Sequence, residues 1–179
     1  MFDGDTDVTA TRRGQPACRG PATSLGYLGG TDHDKLFTRN GWMRMGDICE
    51  IDADGYLRVT GRTSDFILRG GKNISASQVE DAAMTHPAIA VAAAVAMPDP
   101  VFGEKVCLYA ELAGPATDPA TLDLADLTEH LLAQGFSKEL LPERLIVVDE
   151  LPRSSGGKVA KGRLREDIRA RMEAGDERS

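Results

Sequence analysis

Residues 41–80, GWMRMGDICEIDADGYLRVTGRTSDFILRGGKNISASQVE, contain a hairpin, an abrupt change of pattern and a helix start. The runs 48–51 and 56–59 are β-prone and flank Asp52, Ala53, Asp54 and Gly55. An Asp-Gly pair between such runs marks a hairpin, because glycine takes the positive φ that the turn requires. The same DADG fails as a calcium loop. Gly55 stands at the fourth position of such a loop instead of the sixth, and Thr63 occupies the twelfth, where a glutamate belongs. After Arg62 the pattern changes: Phe66, Ile67 and Leu68 form a short apolar run stopped by Gly70 and Gly71. Ser77-x-x-Glu80 then reads as a capping box, opening a helix that ends near His86, ahead of Pro87.

Downstream, residues 89–97 are nearly all apolar, as a strand buried on both faces would be, and 105–112 read as a second strand. Residues 114–119 read as a loop. Leu124, Leu127, Leu131 and Leu132 recur at helical spacing as an amphipathic stripe. A further strand is expected at 144–148, and a terminal helix over 162–172 with Leu164 and Ile168 as its apolar seam. The order from Arg62 is βαββαβ plus a helix. The fold class is therefore α+β: a small C-terminal three-stranded sheet domain with flanking helices over 62–179. A β-rich piece with many turns over 18–61 precedes it, and 1–17 read as irregular. The boundary is expected within 60–65.

Composition narrows the function classes. The 179 residues are 41% hydrophobic and 27% charged, the mix of a soluble globular protein. No apolar run reaches the roughly 18–20 residues that span a bilayer. The acidic, polar start does not read as a secretory leader. Three cysteines, Cys18, Cys49 and Cys107, are odd in number and widely spaced, which points to free thiols and a cytoplasmic location. No Cys/His group has metal-ligand spacing. A net charge of -7 argues against nucleic-acid binding, which draws on a positive field.

Residues 151–166, LPRSSGGKVAKGRLRE, set Lys158 directly behind two glycines and ahead of a basic run. A Walker phosphate loop fails on spacing, since Pro152 and Val159 occupy its required glycine and Ser/Thr positions. A solvated surface lysine is the plain alternative. Read together with 41–80, however, the stretch resembles the late motifs of the adenylate-forming (AMP-binding) enzymes, which include acyl-CoA synthetases and peptide-synthetase adenylation domains. Those enzymes show GW-x-x-TGD, a DGYL hairpin, GR-x-x-D-x-I-x-x-GG-x-N-I, and a closing LPR-x-x-x-GK before a basic helix. CRGPATSLGYL (18–28) resembles the motif just upstream, and the likeness covers about residues 18–172 in family order. GFSKELLPERLIVVDELPR (135–153) is more similar to aryl-, alicyclic- or medium-chain acid:CoA ligases than to peptide-synthetase domains.

The resemblance implies the C-terminal part of an ATP-dependent carboxylic acid:CoA ligase, which forms an acyl-adenylate and then a CoA thioester. Residues 18–61 would be the end of the large AMP-binding domain, and 62–179 the mobile C-terminal domain. The large domain's phosphate loop is not in these residues, so the chain is expected to be inactive alone. Its expected partners are that large domain, a carboxylic acid and CoA, with ATP and AMP as nucleotides. Magnesium is expected, with ligands outside this chain. Lys158 is implied to be catalytic, reaching the carboxylate and α-phosphate during adenylation. Asp47 would hold the AMP ribose, Arg62 would contact the nucleotide, and Gly70 and Gly71 would line the channel for CoA's pantetheine arm. Ser64 stands at the hinge, where the family commonly has Asp or Lys. Met45 replaces a usual threonine, and Ala76 and Gln78 replace the Pro and first Glu before the helix. Plain readings remain: a turn-capping Asp47, a surface ion pair of Arg62 with Asp65, and ordinary turn glycines. Lys161, Arg163, Arg165 and Arg169 read as a solvated helix face, with contact to CoA phosphates as the sharper alternative. Trp42 reads as core packing. Two other readings are a free-standing accessory module that docks on a separate large domain, and an adenylation fragment that serves a carrier protein.

Overall fold

The Asp-Gly turn closes a hairpin in the computed structural model, which describes residues 1–26, 28, 33–114 and 122–175. Strands β6 (Asp47–Ile51) and β7 (Leu57–Arg62) pair antiparallel. The Asp52 carboxylate accepts from the Asp54 and Tyr56 N–H groups, and Gly55 has φ +91°. Asp52 thus satisfies the turn's backbone donors, which is the reason aspartate is favoured there.

The chain divides into two units, Met1–Ser64 and Asp65–Ser179. The first holds short ladders: β1 (Phe2–Asp3) with β2 (Thr6–Asp7), β3 (Arg13–Gly14) on β6, and β4 (Ala17–Cys18) with β5 (Met43–Arg44). A four-residue helix, α1, covers His33–Leu36. Residues 1–17, expected to be irregular, therefore carry paired strands. Their Phe2 is buried and packs on Trp42 with ring centroids 5.9 Å apart. The Arg19 guanidinium lies 5.1 Å from the same indole, so Trp42 serves packing, as its sequence context suggests.

The second unit is built on one sheet. Strands β8 (Phe66–Arg69) and β9 (Lys72–Ser75) form a hairpin, followed by α2 (Ala76–Ala83), β10 (Ile89–Asp99) and β11 (Gly103–Leu112). Helix α3 (Leu124–Ala133) crosses over to β12 (Arg144–Val148), which pairs parallel to β11, and α4 (Lys161–Glu173) closes the unit. A parallel pair needs such a crossover, whereas β10 and β11 join through a tight turn. Strands β8, β10, β11 and β12 are the four of the βαββαβ order; β9 pairs with β8, and β8 meets β11 at Arg69 and Gly103, so the sheet has five strands where three were expected. The loop expected over 114–119 lies outside the described residues apart from Gly114, and so do parts of 18–30.

Alternation along β10 and β11 sends side chains to two cores, one on each face of the sheet. Ala92, Ala94, Val106, Leu108 and Ala110 meet Val79 and Ala83 of α2 and Leu127 and Leu131 of α3. Ala93, Val95, Cys107 and Tyr109 meet Leu164 and Ile168 of α4. Burying each of those large aliphatic side chains contributes about 1.5–3 kcal/mol. The alanine-rich face of β10 leaves room for helices on both sides, which is why its run is apolar throughout.

Three local expectations are corrected. In α2 the N-terminal cap position is Ser75, with no side-chain cap bond, and the Glu80 carboxylate does not turn back to the helix start. The helix ends at Ala83, with turns continuing to His86. In α3 Leu127 and Leu131 are buried but Leu132 is 43% exposed, so the apolar stripe is narrower than its leucines suggest. Asp123 caps that helix by accepting from the Asp126 N–H, and Gly135, at φ +80°, lets the chain leave it.

Candidate functional site

In the first unit, Asp47 and Arg62 face each other across β6 and β7, and the guanidinium Nε lies 3.1 Å from the carboxylate. An unbroken register would set Asp47 opposite Gly61. A bulge between Ile48 and Cys49 shifts the ladder by one and brings Arg62 into place. Arg62 therefore pairs with Asp47, not with Asp65 as its plain reading had it. The pair is largely exposed on the arginine side, so it contributes little to stability. It presents a guanidinium and a carboxylate together.

In the second unit, Gly70 and Gly71 are the two central residues of the β8–β9 turn, with φ of +55° and +83°. Positive φ at both positions is the requirement of a two-residue hairpin loop. A Cβ on Gly70 would sit 3.3 Å from the Phe102 ring, while Gly71 faces open space. The Gly70 N–H donates to the Phe102 carbonyl at 2.9 Å, docking the turn on the β10–β11 loop. Leu68, Val101 and Phe102 beside it are exposed. Arg69 braces the turn from below: its guanidinium bonds the Glu143 carboxylate and donates to the carbonyls of Leu141 and Glu139. Lys72 pairs with Glu139, whose carboxyl the lysine holds below its usual range by hydrogen bond and charge.

Lys158 lies on an exposed loop between β12 and α4. The loop is closed at its stems by a bridge between Arg153 and Val159 and by the Ala160 N–H bond to the Pro152 carbonyl. Ser154 bonds the Lys158 carbonyl through both its N–H and its hydroxyl, fixing the backbone of that residue. Gly157 has φ +76°, a turn that needs glycine. Among the described residues no hydrogen bond or ion pair engages the Lys158 amine. The loop is backbone-ordered and presents one free cation.

Lys161 and Arg165, read from sequence as a solvated face, turn out to be paired. The Lys161 amine lies 2.7 Å from the Glu80 carboxylate and 3.5 Å from that of Asp65; Arg165 lies 2.9 Å from Asp65. Glu80 also accepts the Ala94 N–H at 2.7 Å. Burial pushes the Glu80 carboxyl above its ordinary range, while Lys161 and the Ala94 N–H pull it back part of the way. This four-residue group was missed in the sequence, where its members lie far apart. Arg163 and Arg169 are exposed, as expected.

Elsewhere, all three cysteines are free, and burial pushes the Cys107 thiol up to about 12. Burial and its bond to Asp167 push the Tyr109 hydroxyl upward too, so neither is a nucleophile at neutral pH. Among the described residues no three His, Cys, Asp or Glu side chains gather as a metal site, and no helix is long and apolar enough to cross a membrane. An open cavity of about 930 Å³ lies along the outer face of α3, beside Leu124, Thr128 and Leu132. It belongs to the α3 side of the sheet, opposite the face on which α4 packs, and contains none of the candidate residues.

Residues 78–158 match the model of the AMP-binding enzyme C-terminal domain. The medium-chain fatty-acid–CoA ligase of Escherichia coli (strain K12) is 39% identical over 163 residues, covering 89% of this chain and 28% of that protein. The salicylyl-CoA synthase / salicylate adenylyltransferase of a Streptomyces species is 40% identical over 172 residues, covering 95% and 30%. The 2,3-dihydroxybenzoate-AMP ligase of Bacillus subtilis (strain 168) is 37% identical over 174 residues, covering 97% and 31%. Among solved structures, ATP-bound MatB from Rhodopseudomonas palustris superposes with a TM-score of 0.75 at 30% identity, over 87% of this chain and 30% of that one. The chain thus spans less than a third of the length of the curated relatives it matches.

Proposed function

We propose, since the chain belongs to the adenylate-forming family and carries the C-terminal portion of such an enzyme, that it works as the C-terminal part of an ATP-dependent carboxylic acid:CoA ligase, with 18–61 the end of the large domain and 62–179 the mobile one. In the first step a substrate carboxylate oxygen attacks the α-phosphorus of ATP, forming the acyl-adenylate and releasing pyrophosphate. In the second, a thiol attacks the acyl carbon, forming the thioester and releasing AMP. The observation that supports this reading best is the free amine of Lys158 on an otherwise bonded loop.

Attack by one anion on another builds negative charge in the transition state, where a preoriented ammonium is worth more than in the ground state. Lys158 supplies it to the carboxylate and the α-phosphate. Asp47 accepts the ribose hydroxyls of the nucleotide, and the adjacent Arg62 contacts ribose or phosphate; a carboxylate suits two neighbouring hydroxyls because it accepts side by side. Gly70 and Gly71 line the thiol's channel with bare backbone, and Ser64 is the hinge between the residues serving the two steps. Magnesium would act on the phosphates through ligands of the large domain, and this chain's residues perform no step through it. The acid is proposed to be medium-chain or aromatic, the classes named in the relatives above.

A second reading concerns the acceptor. One relative, from Mycobacterium tuberculosis (strain ATCC 25618 / H37Rv), is named salicyl-AMP ligase / salicyl-S-ArCP synthetase and is 38% identical over 149 residues. A carrier-protein thiol is therefore the alternative to free CoA. The test joins this chain to the large AMP-binding domain of an acid:CoA ligase and follows acid-dependent ATP–pyrophosphate exchange. Exchange by the joined protein and none by the chain alone is expected. Exchange by the isolated chain would overturn the assignment, and transfer to a carrier protein but not to CoA would select the second acceptor.

A further inference from the structure

We infer that Lys161, Glu80 and Asp65 are positioning residues for Lys158: the ion network they form with Arg165 fixes the root of the loop that carries the amine. The inference rests on the reading of Lys158 as the catalytic cation.

The network sits where helices from both faces of the sheet meet. β10 is an edge strand, so the outward N–H of Ala94 has no strand to bond, and Glu80 reaches from α2 to take it. Lys161 and Arg165 come from α4 on the other face. The carboxylates of Glu80 and Asp65 therefore pull the first turn of α4 against the strand edge and against the first residue of the second unit. Helix α4 has no side-chain cap of its own, its cap position being Ala160. The two carboxylates supply negative charge at its N-terminal end, where the helix dipole favours it.

The consequence for Lys158 follows from chain geometry. Lys161 is the first residue of α4, and Ala160 before it is bonded to Pro152 across the loop's stems. Fixing Lys161 thus fixes both stems, leaving only the tip to move. The side chains are only 18% exposed for Lys161 and 15% for Glu80, so solvent screens the pair weakly. Two anions and two cations balance, so the network adds no net charge to compete with Lys158 for a phosphate. Lys161 itself is not a phosphate contact, because its amine is already held by carboxylates.

The first test uses the 179-residue chain and needs no activity. Lys161→Gln is expected to speed amide hydrogen exchange at Gly157 and Ala160 by about tenfold while Val106 and Leu108 in β11 stay as protected as in wild type. Lys161→Arg should restore the slow exchange. Glu80→Gln, which keeps an acceptor for the Ala94 N–H, gives a second variant if the first folds poorly. Unchanged loop exchange, or loop and strand amides accelerating together, would overturn the inference. The second test uses the chain joined to a large domain. Lys161→Gln should lower kcat of adenylation about tenfold with KM for ATP unchanged, and leave thioester formation from supplied acyl-adenylate within about twofold. Equal losses in both steps would mean a structural role alone. If the wild-type joined protein shows no adenylation, the functional reading fails, while the exchange measurement still decides whether the network holds the loop.

Discussion

The second unit carries two loops of interest, and they use glycine for opposite ends. At Gly70 and Gly71 positive φ closes a two-residue turn, and the surface offered is backbone, with no side chain in the way. Around Lys158, Gly157 bends the chain so that one long side chain stands clear. The turn is braced directly beneath by Arg69 on Glu143 and by Gly70 on Phe102. The lysine loop is held at its stems and, at the very next residue, by Lys161. Under the proposed roles the difference has a reason: a channel wall must not move, whereas a cation that meets a reacting phosphate needs a fixed root and a free tip.

That contrast can be broken at the turn with the largest effect. Arg69→Met removes three bonds and leaves the half-buried Glu143 without its cation, so stability should fall by about 2–3 kcal/mol in urea unfolding. Next, Gly71→Val puts a branched side chain at φ +83°, costing about 1–2 kcal/mol and slowing the thioester step more than adenylation. Lys158→Ala touches an exposed side chain with no partner among the described residues, and stability should stay within about 0.5 kcal/mol.

Acid sharpens the comparison because the two braces titrate in opposite senses. Lys72 holds the folded Glu139 carboxyl below its ordinary 4.5, so that stabilisation is present above 4.5 and fades as pH falls through the lower folded value. Burial holds Glu80 above 4.5, so its folded form keeps a proton that the unfolded chain has lost. Its contribution is full below 4.5 and fades as pH rises through the higher folded value. Wild type should therefore lose its advantage over Glu80→Gln as pH rises above 4.5, and lose its advantage over Glu139→Gln as pH falls below it. Urea titrations of the three proteins at several pH values check both slopes.

Local pattern made the hairpin of the first unit and most of the second unit legible. The DADG hairpin, the doubly buried β10, and the Leu164 and Ile168 seam of α4 follow from turn chemistry and periodicity alone. What escaped was long-range. Glu80 looks like a capping residue in its own neighbourhood, yet its carboxylate serves a strand edge and a helix on the opposite face. Lys161 and Arg165 look solvated because Asp65 lies 96 and 100 residues away in sequence. Asp47 and Arg62 were each named from motif resemblance, but the bulge that makes them partners has no residue signature in the hairpin. The paired strands of 1–17 were also hidden, since two-residue ladders leave no periodic trace.

The central claim is that Lys158 brings its charge to the first half-reaction and not the second. It is tested most directly by Lys158→Ala in the chain joined to a large AMP-binding domain, with the two steps measured separately. Adenylation should slow by about 10²–10³, while thioester formation from supplied acyl-adenylate stays near wild type. Equal slowing of both steps, or of neither, would contradict it.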